Sequence, residues 1–199
     1  MLSLRKPSAV SLRNFLTTQS ELPFTYAAVG ATAGTPPAGY AVDRTRVKLG
    51  EGEGAYRSAK AALERWEEFR LGWVDPWPGD TPLRKGEVVA VIGHAMGLRW
   101  LNACRIVYTI DDTGKIRRFG FAYGTLPGHV ESGEERFQIE WDPSDNSVWY
   151  DILAFSKPNH FLTRMGYPLV RRLQKRFGRD SAAAMLSAVP IDSAQPPQE

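Results

Sequence analysis

From residue 87 to residue 155 the chain is a series of strand-like segments separated by short turns. The segments cover residues 88–92, 100–110, 116–126, 134–141 and 147–155. The turns Asp111-Asp-Thr-Gly114 and Asp142-Pro-Ser-Asp-Asn146 consist of residues that favour turn conformations. Connections this short leave no room for the crossover that parallel neighbours require. The sequence therefore predicts an antiparallel sheet.

Other elements flank these strands. Residues 40–49 alternate like a strand, apolar positions at helical spacing predict a helix over residues 51–70, and three prolines predict a loop over residues 73–82. A long helix is predicted after Asn159, with a kink or restart at Pro168 and an end at Gly178. Its apolar stripe contains Leu162, Met165, Leu169, Leu173 and Phe177. Since a sheet must bury one face, we expect an α+β fold with a curved antiparallel sheet wrapped around this helix.

Length and composition indicate one globular domain. The chain has 199 residues, and we expect a single domain over residues 1–189 followed by a flexible tail over residues 190–199. Residues 1–22 contain Leu12, Phe15 and Leu16 at helical spacing, which predicts a helical extension packed on the domain. Cys104 is the one cysteine. It excludes an internal disulfide and favours a reducing, cytoplasmic location. No apolar run approaches the roughly 20 residues that span a bilayer.

One predicted strand is unusually poor in side-chain volume on one face. Phe119, Phe121 and Tyr123 alternate with the small residues Gly120, Ala122 and Gly124. Glycine in a strand marks close approach by a backbone or a ligand. Either the helix packs closely on this face, or a ligand cavity remains there. For a cavity, we expect the small residues to line it and larger side chains to orient the ligand at its rim, namely Arg105, Tyr108, Tyr123, Trp149 and Tyr150.

The hairpin tip after this strand carries one histidine and three carboxylates close together in the sequence. They are His129, Glu131, Glu134 and Glu135. A histidine beside carboxylates suits general acid–base chemistry, so His129, Glu131 and Glu135 are catalytic candidates. A solvated hairpin tip is the simpler interpretation, and Glu135 either points inward or lies at an exposed strand end.

No bound cofactor is expected. The spacing around His129 matches no helix-borne zinc motif and no second histidine is near, so no metal site is predicted. The glycine-rich segment at residues 50–54 contains two acids that would repel phosphate.

Six basic residues form a cluster near the C-terminus, although the net charge of the chain is only +3. They are Arg164, Arg171, Arg172, Lys175, Arg176 and Arg179. This stretch is either a solvated helix face or a surface for anionic lipid or nucleic acid. Because the rest of the chain is near neutral, no nucleic-acid partner is expected.

Several segments together resemble a known family. They are Phe24-Thr-Tyr-Ala-Ala-Val-Gly30, Pro37-Ala-Gly-Tyr40, Leu49-Gly-Glu-Gly52, residues 66–73, Asn102-Ala-Cys-Arg-Ile-Val-Tyr108, the hairpin at residues 119–137, Val148-Trp-Tyr150, Ala154-Phe-Ser156, and Gly166-Tyr-Pro-Leu169 with Gln174, Arg176 and Phe177. Over most of its length the chain is similar to the uncharacterised family called domain of unknown function nineteen-ninety. That resemblance implies membership and assigns no residue roles.

A more distant resemblance is to the helix-grip superfamily, which includes START domains, the birch-pollen allergen type and polyketide cyclases. It implies a sheet wrapped around a C-terminal helix and an apolar chamber between them. Fold alone does not fix function.

Three hypotheses follow. The leading one is a protein that binds a hydrophobic small molecule or lipid between the sheet and the C-terminal helix. The second is an enzyme of the cyclase, hydratase or hydrolase type that uses the same cavity. The third is a peripheral binder of anionic membranes or nucleic acid through the basic helix.

Overall fold

The protein forms one curved antiparallel sheet with helices on both faces. The computed structural model describes residues 2–3, 7–95, 97–159 and 167–190. Within these residues there are eight strands, three α-helices and two 3₁₀ helices. The strands are β1 Leu2–Ser3, β2 Ala41–Glu51, β3 Val74–Trp77, β4 Val88–Ala95, β5 Leu98–Asp112, β6 Arg117–Thr125, β7 Glu131–Trp141 and β8 Ser147–Pro158. The α-helices are α1 Ala9–Ser20, α2 Gly52–Glu64 and α3 Tyr167–Ala188, and the 3₁₀ helices are Ala31–Ala33 and Glu67–Phe69.

The sheet is built mainly from consecutive hairpins. Its order is β2-β8-β7-β6-β5-β4-β3, with β1 paired to β5, and every pairing is antiparallel. The turn before β8 contains Asn146 at a φ of 62°, and the Asp145 carboxylate accepts from the Ser147 amide at 2.9 Å. The predicted α+β class and antiparallel order are confirmed.

α3 and α2 cover one face of the sheet, which we call the inner face. The core there is strongly aromatic. The Phe69 ring lies 5.2 Å from that of Phe137 and 5.1 Å from that of Phe177, measured between centroids. Alternation places Phe119, Phe121 and Tyr123 of β6 in this core.

The structure corrects three predicted boundaries. α3 does not end at Gly178, because this buried glycine lets the helix backbone approach β2; a Cβ there would lie 2.6 Å from Thr45 Oγ1. α2 ends at Glu64, since Trp66 adopts a φ of 58° and a 3₁₀ turn follows. The predicted loop over residues 73–82 contains the edge strand β3, where Pro76 is tolerated.

Some predictions fall outside the described residues. The predicted helix start after Asn159 and Arg164 lie beyond them, and so does most of the predicted tail. α3 begins at Tyr167 with Pro168 in its first turn, a position where proline is favoured.

The N-terminal region covers the opposite, outer face. Leu12 and Leu16 of α1 pack against Ala90, Ile92 and Leu101. Residues 24–33, which we call the strap, then cross β6 to β8. The strap is held by the buried Glu134 carboxylate, which accepts from four donors: Tyr26 Oη at 2.7 Å, Gly30 N at 2.6 Å, Thr32 N at 2.9 Å and Thr32 Oγ1 at 2.5 Å.

Candidate functional site

A cavity of about 380 Å³ lies between the inner face of the sheet and α3. Its volume is within the range of small-molecule sites. Strands β2 to β8 and α3 all contribute to its lining. The site is therefore assembled from segments far apart in the sequence.

One wall of the cavity is apolar. It is formed by β3, β4 and β5, by the 3₁₀ helix before β3, and by one side of α3. The side chains on this wall are Phe69, Trp73, Val74, Val91, Trp100, Leu173 and Phe177. Trp73 is fixed in place, because its Nε1 donates to Asp180 at 2.8 Å and the Arg176 guanidinium stacks on its ring. This wall suits the hydrocarbon or aromatic part of a ligand.

The other wall is polar and is formed by β7, β8 and β2. Glu131 at the start of β7 is only 8% exposed. Its two carboxylate oxygens each accept from Gln174 Nε2 of α3 at 2.7 Å, and Ser156 Oγ donates to Oε1 at 3.2 Å. Burial raises the pKa of Glu131 to about 7, against the opposing effect of these hydrogen bonds.

Glu135 lies four residues after Glu131 in β7, on the same face of the strand. The Tyr123 hydroxyl of β6 donates to its Oε2 at 2.7 Å. Burial also raises the pKa of Glu135 to about 7, while the Tyr123 hydrogen bond acts in the opposite direction. Of the two alternatives for Glu135, the structure shows the inward one.

His129 lies at the same end of the cavity. Its Nδ1 accepts from the Glu131 amide at 2.9 Å, which places the proton of the neutral ring on Nε2. Burial lowers the pKa of His129, so the neutral ring is favoured. His129, Glu131 and Glu135 all line one cavity, and the interpretation as a solvated hairpin tip is wrong. Their catalytic role stays a prediction.

An ion pair between α3 and β2 lies beside the polar wall. Arg171 contacts both carboxylate oxygens of Asp43, with Nη2 donating to Oδ1 at 2.6 Å. Nη1 of Arg171 also donates to Gln174 at 2.6 Å. The Arg171 guanidinium therefore balances the charge of the Asp43 carboxylate. Its hydrogen bond to Gln174 also orients the Gln174 amide toward Glu131.

The small residues of β6 do not line this cavity. Gly120, Ala122 and Gly124 alternate with the aromatic side chains and point to the outer face. A Cβ on Gly124 would lie 2.0 Å from the Tyr26 hydroxyl, and one on Gly120 would lie 2.1 Å from the Phe137 carbonyl oxygen. The predicted placement of these three residues at a cavity is wrong, because the strap and a neighbouring strand occupy the space that they leave.

Four predicted rim residues also lie elsewhere. Arg105 donates from Nη2 to the carbonyl oxygens of Ser20 at 2.5 Å and Leu22 at 2.9 Å, at the end of α1. Tyr108 bonds Thr32 Oγ1 at 2.8 Å, and with Arg105 it lines a second hollow on the outer face.

The two remaining aromatic residues of β8 point to opposite faces of the sheet. Trp149 lies under Arg46 on the outer face, with the guanidinium 4.9 Å from the ring centroid. Tyr150 is fully buried, and its hydroxyl lies 2.9 Å from Ser181 Oγ of α3. Of the predicted ligand-binding residues, Tyr123 is the one that lines the cavity.

The structure adds site residues that the sequence did not reveal. Asp43, Ser156 and Gln174 join the polar wall, and Trp73 and Trp100 join the apolar wall. The strand alternation of β2 and β8 predicts which of their residues share a face. Which face meets α3 depends on strand pairing, which no local pattern records.

Two partly exposed leucines lie at the mouth of the cavity. Leu98 and Leu169 line the cavity, and each is 44% exposed.

Arg172, Lys175 and Arg179 are exposed and have no ion pair within the described residues. A membrane or nucleic-acid role for these cations stays a prediction.

The described residues contain neither a candidate metal centre nor a helix that could span a membrane. No group of three His, Cys, Asp or Glu side chains in that part of the chain is arranged to hold a metal ion. No helix in the described ranges is long and apolar enough to cross a membrane.

The chain is similar to proteins from distant organisms. It is 36% identical to a UPF0548 protein of Dictyostelium discoideum, covering 95% of this chain and 96% of that one. It is 39% identical to a UPF0548 protein of Arabidopsis thaliana, covering 76% of this chain and 74% of that one.

Among solved structures, a hypothetical protein from Helicobacter pylori shares the fold. The TM-score is 0.50 at 9% identity, covering 84% of this chain and 99% of that one. Weaker likenesses are to Ara h 8.0201, with a TM-score of 0.45 at 10% identity over 75% of this chain and 99% of that one, and to human STARD10, with 0.39 at 10% identity over 89% and 80%.

The family resemblance seen in the sequence is confirmed. The model of the family described as domain of unknown function DUF1990 matches residues 25–184, which include nearly all of the strap, strands β2 to β8 and most of α3. The chain belongs to the DUF1990 family.

Proposed function

We propose that this protein binds a hydrophobic or amphiphilic small molecule in the cavity between the sheet and α3. The observation that carries the proposal is a cavity of about 380 Å³ with an aromatic wall facing a wall of hydrogen-bonding groups. Ligand sites in proteins combine a mostly apolar lining with a few polar groups that fix orientation. Interiors of this size are normally filled by side chains, so an open volume of this kind suits a ligand.

The test is to purify the protein without added ligand and identify bound molecules by native mass spectrometry and organic extraction. An Ala154→Phe variant adds bulk at a lining position of β8. Val42→Phe is the matched control, since Val42 is 51% exposed on the outer face of the neighbouring strand. We expect a bound species in the wild type and in Val42→Phe that is lost in Ala154→Phe, with all three proteins folded by circular dichroism. Equal occupancy in all three would refute the proposal.

A second function is supported by the acid–base groups in the same cavity. Burial raises the pKa values of Glu131 and Glu135 to about 7. A carboxyl group whose pKa lies near the working pH is suited to both give and take a proton. Chemistry of the hydratase or cyclase type requires such a group, because a proton is transferred to or from carbon.

Deuterium exchange tests this second function. The extracted ligand is incubated in D₂O with the wild type, with Glu131→Gln or with Glu135→Gln, and its mass is measured. Proton transfer at carbon predicts deuterium incorporation with the wild type that falls by about 10²-fold or more in a variant that lacks the acting group. No incorporation above the protein-free control would leave binding as the function of the cavity.

A further inference from the structure

We infer that the cavity selects an amphiphile whose polar end is a cationic amine over one whose polar end is a carboxylate. This inference rests on the proposed binding function and concerns the same site. Its basis is the set of charged side chains that line the cavity, together with the ion pairs and hydrogen bonds that these side chains already make.

The charged groups that line the cavity are of one sign. Asp43, Glu131, Glu134 and Glu135 contribute to the lining, and no lysine or arginine of the described residues does. His129 is the remaining titratable base in the lining, and its Nδ1 is occupied by the Glu131 amide. An anionic head group would therefore meet no cation among the described residues that line the cavity.

Two of the four acids are satisfied by other contacts. Asp43 is held by both terminal nitrogens of Arg171. Glu134 points to the outer face, where it accepts from Tyr26 Oη and from donors of Gly30 and Thr32. Neither carboxylate is free to meet a ligand.

The other two acids have only neutral donors. Glu131 is contacted by Gln174 and Ser156. Glu135 is contacted by Tyr123 at Oε2, while its Oε1 has no hydrogen bond from the described residues. The cation that acts on Glu131 is Arg171, which is already bound to Asp43. The lining thus presents two carboxyl groups without a cationic partner of their own.

A bound ammonium group would supply that partner. Hydrogen bonds from an ammonium donor to a carboxylate are about twice as strong as those between neutral groups. A bound carboxylate would instead add a third negative charge beside two carboxyl groups, which is unfavourable in a partly desolvated site. The aromatic wall, which includes Trp100 and Trp73, receives the chain of the amphiphile.

The experiment compares three ligands with one chain and different head groups. Dodecylamine, dodecanol and dodecanoate, each below its micelle-forming concentration, displace the neutral dye Nile red from the folded protein at pH 8. We expect dodecylamine to bind at least about tenfold more tightly than dodecanoate, with dodecanol between them. The preference is expected to shrink in Glu131→Gln and in Glu135→Gln and to vanish in the double variant. Glu64→Gln, an exposed acid on α2, is the matched control and keeps it.

The outcomes separate this inference from the function on which it rests. Binding of dodecanoate as tight as that of dodecylamine would overturn the inference and leave ligand binding standing. An amine preference that persists in the folded double variant would also overturn it, because the source would then lie elsewhere. No displacement by any of the three ligands, with no co-purified species, would overturn both.

Discussion

The Tyr123 hydroxyl lies 2.7 Å from Oε2 of Glu135, on neighbouring strands and inside the cavity. The two residues form a directly opposed pair between β6 and β7. The hydroxyl donates, so it stabilises the ionised form of Glu135 against the opposing effect of burial. The hydrogen bond from Tyr123 therefore influences whether the Glu135 carboxyl group in the cavity is ionised.

Replacing Tyr123 with phenylalanine is expected to raise the pKa of Glu135 above about 7. The reason is that the carboxylate loses its donor while its burial is unchanged. A ¹³C NMR titration of labelled glutamate carboxyl groups measures the shift. Tyr108→Phe on the outer face is the control and is expected to leave the Glu135 titration unchanged. An unchanged Glu135 titration in Tyr123→Phe would show that the hydrogen bond does not form in solution.

Replacing Glu68 with leucine is expected to stabilise the protein increasingly as pH rises. Glu68 is fully buried, and neither carboxylate oxygen has a hydrogen-bond partner in the described part of the chain. Burial raises its pKa well above the ordinary value. The folded state therefore holds this proton more tightly than the unfolded state. Glu68 therefore contributes to the free energy of unfolding of the wild type below the pKa that it has in the unfolded chain. As the pH rises from that value toward the pKa of Glu68 in the folded protein, the contribution is lost by about 1.4 kcal/mol per pH unit.

The measurement for Glu68 is urea unfolding between pH 5 and pH 9. Glu64→Leu on the exposed side of α2 is the control. We expect the difference between Glu68→Leu and the wild type to grow with pH and that for Glu64→Leu to stay nearly constant. If the difference in free energy of unfolding between Glu68→Leu and the wild type did not change with pH, the burial of an unpartnered Glu68 carboxyl group would be contradicted.

Replacing Gly124 with alanine is expected to destabilise the fold by about 1–3 kcal/mol. The added methyl group would lie 2.0 Å from the Tyr26 hydroxyl, which must then move away from Glu134. Gly54→Ala adds the same group in α2 with no atom within 4 Å, and removing a glycine from a helix stabilises it. Thermal unfolding of both variants measures the contrast. If the two substitutions changed the stability equally, the close packing of Tyr26 of the strap against Gly124 of β6 would be contradicted.

Replacing Glu134 with glutamine is expected to release the strap and to cost roughly 2–4 kcal/mol. An amide cannot accept at both ends, so at least the donors of Gly30 or of Thr32 lose their acceptor. Hydrogen exchange read by NMR should show faster exchange of the Gly30 and Thr32 amides, while amides in the β7–β8 pairing stay protected. The exposed substitution Glu53→Gln is the control, and exchange at Gly30 and Thr32 that matches it would contradict the role of Glu134.

Local pattern predicted the hairpins and the covering helix. The turn residues at 142–146 and the alternation of β6 and β7 are visible in the sequence, because turn chemistry and strand period act over a few residues. The same alternation separated Tyr123 from Gly124 correctly. It did not show that the aromatic face turns to α3 and the small face to the strap.

The sequence by itself determined the antiparallel α+β architecture, the family, and the segment on which the acid–base groups lie. Only the tertiary structure decided that Glu131 and Glu135 enter a cavity while Glu134 between them anchors the strap. The physical reason is that a strand sends neighbouring side chains to opposite faces, and the layer that covers each face is supplied by chain more than thirty residues away. Burial and charge at this site are properties of that packing.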